Sequence, residues 1–222
     1  PYVALGPGPV ARDNPRQCTS QPMSDFLILI ERSSDFAQAD TPHKVLPVRD
    51  YLARPDLFEG RRPIVVNLAR SYRYQSSGYY ASLLADARGH RALPTAQTML
   101  ELSRKALDVA ALPDIEAALN RDAQTAPQDA DFQLLVGFGQ PDRPGFERFA
   151  RVLFDWFRCP LIEVSVKSGS RLVIRRLRPL APNGLGQERY AFLCDSLAEY
   201  SKRAWAAPKT KTPLRWSLAV LH

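Results

Sequence analysis

Nine residues that could handle a polar ligand fall within thirteen positions: Asn67, Arg70, Tyr72, Arg73, Tyr74, Gln75, Ser76, Ser77 and Tyr79. Each arginine can grip a carboxylate or phosphate through two parallel N–H groups. Tyr72, Tyr74 and Gln75 place donors on flat, stiff side chains, and Tyr79 extends the aromatic set. Ser76, Ser77 and the free N–H groups of a following helix suit an anion. Asn67 is placed to hold the backbone of the loop. The chemistry indicated is recognition of an anionic group.

The same residues also have a structural reading. Ser76 or Ser77 caps the helix, Tyr79 and Tyr80 are half-buried core, and Arg70 and Arg73 are solvated or paired with nearby carboxylates. Spacing alone leaves both readings open.

The elements around this stretch favour a site. Ile64-Val65-Val66 is a continuous β-branched run, as expected for a strand covered on both faces. The polar loop follows it, and a helix begins near Gly78. Open α/β sheets hold ligands in this place, beyond the carboxyl ends of their strands. Further strands are expected at 26–31, 44–48, 132–138, 161–167 and 171–177. In the fifth of these six strands, Ile162, Val164 and Val166 alternate with Glu163, Ser165 and Lys167, as in a half-exposed strand. Ser168-Gly169-Ser170 fits a tight hairpin to the last one.

Helical stripes run through Tyr80, Leu83, Leu84 and Ala87, through Phe146, Phe149, Ala150, Leu153, Phe154 and Phe157, and through Tyr190, Leu193, Cys194 and Leu197. Weaker helices are expected over 96–107 and 113–123, with a polar loop over 124–131. Strands alternating with helices give an α/β class, with α+β as the variant: a mixed sheet with helices packed on it, in a single domain.

Composition narrows the function. The chain has 222 residues, 45% apolar and 24% charged, with a formal charge of +7. An acidic disordered chain is excluded, and an anionic partner is permitted without being required. No run approaches the roughly 18 apolar residues of a membrane span. Cys18, Cys159 and Cys194 are odd in number and widely spaced, which argues against a disulfide framework or a thiolate zinc site and for reduced thiols in the cytoplasm. His43, His90 and His222 form no metal motif, and His90, after the helix-ending Gly89, reads as a surface or capping residue. Gly137-Phe138-Gly139 lacks the third glycine of a dinucleotide fingerprint and reads as a turn.

Two basic groups stand out: Lys167, Arg171, Arg175, Arg176 and Arg178, then Lys202, Arg203, Lys209, Lys211 and Arg215. On a period of two, Arg176 and Arg178 share one face and Arg171 and Arg175 the other. That describes an edge strand or a strand against an acidic partner. Nucleic-acid binding is the minor alternative, because neither aromatic interleaving nor a reader motif accompanies the charge.

The two ends differ from the body. Residues 1–22 hold five prolines and no apolar period, and read as a disordered or non-native extension ahead of Met23. Residues 208–213 read as a Pro-bounded linker, and 214–222 as the first strand of a further region.

The run VVNLARSYRYQSSGYYASLLADARGHRALP, residues 65–94, resembles the signature of the RimK-like ATP-grasp N-terminal domain family. The similarity continues through Met23 to Ala207, including the Asp50-Tyr51-Leu52 element and RLVIRRLRPL. The resemblance implies a domain that precedes an ATP-grasp domain in one polypeptide. The parent would be an ATP-dependent carboxylate–amine ligase, with ATP and magnesium in the ATP-grasp part. RWSLAVLH resembles that part's first strand. In such chemistry a carboxylate becomes an acyl phosphate that an amine attacks. It needs lysines on the phosphates and acids or an Asn on magnesium. The sequence has no Glu-x-Asn or Asp-x-Asn pair and no P-loop. The expectation is therefore an accessory domain without cofactor or catalytic residues of its own, which recognises an anionic small molecule or peptide carboxylate, docks its ATP-grasp partner, or both. A purely structural role is the rival. A third reading, an enzyme using Ser76 or Tyr74, needs a neighbouring base that the sequence does not supply.

Overall fold

The computed structural model describes residues 26–58, 60–103, 111–124 and 130–202. The expected N-terminal extension, the start at Met23, the linker and the closing strand lie outside these residues. So do Cys18, His222, Arg203, Lys209, Lys211, Arg215 and parts of the 96–107 helix and the 124–131 loop.

The first half is a parallel sheet. Strands β1 (Phe26–Ile30), β2 (Lys44–Pro47), β3 (Ile64–Asn67) and β4 (Arg91–Leu93) are ordered β2-β1-β3-β4. Every pairing in it is parallel. Helix α1 (Val48–Ala53) connects β2 to β3, and α2 (Ser77–Ala87) connects β3 to β4. The chain leaves β1 toward one edge and β3 toward the other. The crevice between the carboxyl ends of β1 and β3 is therefore the topological switch point, where sheets of this kind hold ligands.

The second half is antiparallel. After α3 (Ala96–Ser103) and α4 (Leu112–Ala123) come β5 (Phe132–Gly137), β6 (Gln140–Pro141), α5 (Glu147–Phe157), β7 (Leu161–Lys167), β8 (Val173–Pro179) and α6 (Gln187–Lys202). The sheet order is β6-β5-β7-β8. The α/β class and the single domain hold, with parallel and antiparallel pairing divided between two sheets. Both apolar clusters draw residues from both sheets, so the halves share one core.

The aromatic stripe of α5 faces that core: Phe149, Ala150, Leu153, Phe154 and Phe157 are all buried. Phe138 and Gly139 both have positive φ in the two-residue β5–β6 turn, the geometry of a primed hairpin. A Cβ on Gly137 would lie 2.9 Å from Ser196 Oγ, so glycine lets α6 close onto β5.

The stripe expected on α2 is corrected. Its buried face is Gly78, Tyr79, Ala81, Ser82 and Ala85, whereas Tyr80 and Leu83 are 45% and 44% exposed. Small side chains bring the helix close to the sheet and turn the larger ones outward. The β7–β8 connection is also wider than the expected turn. Leu172 is buried, and its backbone is held by Asn120, whose Oδ1 accepts from Leu172 N and whose Nδ2 donates to Leu172 O.

Among the described residues Cys159 and Cys194 are free thiols. Burial pushes Cys159 up to about 12, and burial first, then the nearby Asp40 and Asp195 carboxylates, push Cys194 up to about 11. Since the thiolate is the reactive form, iodoacetamide at pH 8 should leave Cys159 unmodified in the native protein and alkylate it in urea. Peptide mapping checks this, and equal rates in the two states would contradict the placement of Cys159 in the core.

Candidate functional site

Asn67, the last residue of β3, is fully buried. Its Nδ2 donates to Gly78 O at 2.8 Å and Ser82 Oγ at 3.0 Å, and its Oδ1 accepts from Ala69 N at 3.1 Å. One amide thus ties the strand end, the loop and the first turns of α2 together. The Tyr72 hydroxyl donates to Asn67 O, which closes the loop from the other side. Burial raises the Tyr72 phenol well above its ordinary range and keeps it a donor.

The loop is also anchored across the switch point. Arg70 makes a bidentate pair with Asp35, with Nε donating to Oδ2 at 2.9 Å and Oδ1 at 3.0 Å while Nη2 closes on Oδ1. The Asp35 side chain is 1% exposed and that of Arg70 27%. The Arg70 guanidinium holds the Asp35 carboxyl below its usual range, against the opposing effect of burial. Nearby, Ser77 Oγ donates to Glu31 Oε1 at 2.9 Å. The loops after β1 and β3 are therefore joined where an open crevice is otherwise expected.

The remaining candidates separate. Ser76 caps α2, accepting from Tyr79 N at 3.2 Å and donating to Ser71 O at 2.9 Å. Tyr79 is buried against the edge of Tyr74, 5.2 Å between ring centroids. Tyr74 is 63% exposed. Gln75 takes a positive φ of 65°. Of the nine residues, Arg70, Tyr72 and Arg73 reach a common groove, and the other six do not line it.

The groove has two overlapping lobes of about 780 and 840 Å³ that share Arg70, Arg178, Pro179, Leu180 and Ala181. Its other wall is β8, an edge strand. The arginines of β8 were visible in the sequence, but their facing was not. Ile174 pairs with Val166 and Arg176 with Ser165, so Arg175 is an extra residue in a β-bulge. The period slips by one. Arg175, Arg176 and Arg178 are all exposed and all line the groove, in place of the two opposite faces expected.

Glu163 on β7 is 6% exposed, which corrects its expected outward position. Its Oε1 accepts from Arg178 at 2.7 Å and its Oε2 from Arg189 of α6 at 2.8 Å. Burial pushes this carboxyl up, but the two guanidiniums outweigh it and hold it low. Arg189, which lines the second lobe, carried no sequence signal beyond its type. His90 is likewise corrected: it is buried, with Nδ1 2.8 Å from Tyr51 Oη, away from the groove.

No group of three or more His, Cys, Asp or Glu converges to hold a metal ion among the described residues. Asp35 and Glu163 already accept from arginines, and Glu188 is the single acid among the residues that line the groove. The donor set fits an anion and does not fit magnesium, so no metal-dependent step is assigned to it.

Two outcomes follow. Asp35 has a depressed folded pKa, so its stabilisation is present above the unfolded value of about 3.9 and is lost as pH falls toward the folded one. Asp35→Asn should lower Tm at pH 7 and flatten its decline on acidification. A wild-type Tm at pH 7 would contradict the anchoring role. A Cβ on Gly78 would lie 2.4 Å from Ser71 O and 2.7 Å from Ala69 Cβ. Overpacking against backbone outweighs the helix propensity gained, and Gly78→Ala should cost about 1–3 kcal/mol in urea unfolding.

No curated protein matches the sequence. Residues 48–196, more than half of the chain, match the RimK-like ATP-grasp N-terminal domain. That stretch contains the strand end, the anchored loop, the bulged β8 and the start of α6, which together build the groove. The chain therefore belongs to the RimK-like ATP-grasp N-terminal domain family.

Proposed function

We propose that this is the accessory domain of an ATP-dependent carboxylate–amine ligase of the cytoplasm, and that it recognises an anionic group of the substrate. ATP and magnesium belong, on this reading, to an ATP-grasp domain in the same polypeptide. The observation that carries the reading is the arginine-lined groove, built from the β3–α2 loop on one side and β8 on the other. Arginine forks match carboxylate and phosphate geometry. A substrate held here would be oriented by charge and handed to chemistry performed elsewhere.

A second reading, docking of the ATP-grasp domain, is favoured by a different surface. Tyr74, Tyr80 and Leu83 are exposed together near the start of α2, and they do not line the groove. Large aromatics at a surface are what a protein interface uses. The two roles use separate faces and are compatible. Among the described residues no helix is long and apolar enough to cross a membrane.

The test is kinetic. Arg70 is committed to Asp35, so Arg73 is the sharper probe of recognition. In the full-length ligase, Arg73→Ala should raise KM for the anionic substrate about tenfold, the effect of losing one charge-assisted contact, with kcat nearly unchanged. An unchanged KM would remove the recognition role.

A further inference from the structure

The charge in the groove is unevenly distributed. In the lobe between the β3–α2 loop and β8, five arginines line the wall and no Asp or Glu does. Arg70 is neutralised by Asp35 and Arg178 by Glu163. Arg73, Arg175 and Arg176 have no acidic partner among the described residues. In the other lobe Arg189 shares Glu163 with Arg178, and the exposed Glu188 offsets what remains. One lobe is thus strongly positive and the other nearly balanced.

The positive lobe also has an apolar side, formed by Met99, Leu102 and Leu177. Like charges gathered on one groove wall repel one another, which costs some energy when no anion is present even though these side chains are open to water. The cost is offset when an anion enters. The β-bulge at Arg175 sharpens the point. An unbulged strand would send Arg175 to the opposite face from Arg176, and the extra residue brings both to the groove.

Resting on the recognition reading above, we propose that this lobe binds an oxyanion carrying more than one negative charge, a phosphate or a clustered carboxylate, held by Arg73 from the loop and by Arg175 and Arg176 from the bulge. The second lobe takes an uncharged part of the same molecule. Arg70 and Arg178, already paired, are the fixed posts between the two. The ligand is therefore directional, with its charged head toward α3 and its neutral body toward the start of α6.

Isothermal titration with pyrophosphate, citrate and acetate tests this on the purified chain, without any ligase assay. Pyrophosphate, citrate or both should bind, and acetate should not. Binding of pyrophosphate alone identifies a phosphate head, and binding of citrate alone a carboxylate head. Arg73→Ala and Arg176→Ala should each weaken binding roughly tenfold. Raising the salt from 50 to 500 mM should weaken it further. Arg49→Ala removes one positive charge from an exposed residue outside the groove and should leave the affinity unchanged. Acetate binding as tightly as the multivalent probes would overturn the proposal, as would no probe binding, or Arg49→Ala matching the groove variants. If no probe binds while Arg73→Ala still raises the ligase KM, the multivalent head is wrong and the recognition role stands.

Discussion

A carboxylate that is 1% exposed cannot stay charged without a partner, and the partner of Asp35 lies 35 residues further along the chain. The Asp35–Arg70 pair spans the crevice between the carboxyl ends of β1 and β3. It occupies the point where this topology leaves room for a ligand, and so moves the usable cavity sideways, toward the second sheet. It also fixes the first residues of the β3–α2 loop. Asn67 fixes the same loop from below, and Gly78 lets α2 approach it closely. Arg73 therefore projects from a tied-down base, which would lower the entropy lost in closing on the proposed anion.

The second sheet supplies what the first lacks. A parallel sheet with helical crossovers presents loops at its strand ends, whereas an antiparallel edge strand presents a row of side chains. Juxtaposing the two lets arginines remote in sequence share one groove. Glu163 has the same role on this wall as Asp35 has on the other: a buried acid that orients guanidiniums without cancelling all of their charge. One carboxylate between two arginines leaves a net positive charge and satisfies most of their geometry.

Much of this was legible in the sequence. The β-branched run at Ile64, the polar loop and the helix start together marked a strand–loop–helix unit, and the aromatic stripe of α5 marked that helix's buried face. What escaped has physical causes. The short strands Arg91–Leu93 and Gln140–Pro141 are too brief to show a period. The α2 stripe was misread because periodicity counts large apolar residues, whereas this helix packs through Gly78, Ala81, Ser82 and Ala85. The facing of Arg175 was lost because a bulge breaks a period of two and leaves no mark in composition. Arg70 stood out in the sequence but its partner Asp35 did not, because pairing across 35 residues is set by strand order.

The misread helix bears on how such a domain is used. A helix that buries its small residues must expose its larger ones, and α2 exposes Tyr80 and Leu83 beside Tyr74. Had the inward face been the bulky one, the helix would stand further from the sheet, and the Asn67 amide could not reach Gly78 and Ser82. The close packing that makes the loop rigid is thus the same packing that creates the aromatic surface. A partner seated on that surface would press on the helix whose first turn holds the loop. On the proposed function, docking and ligand recognition would act on one short, tightly tied segment from two sides, and coupling between them would need no motion of the core.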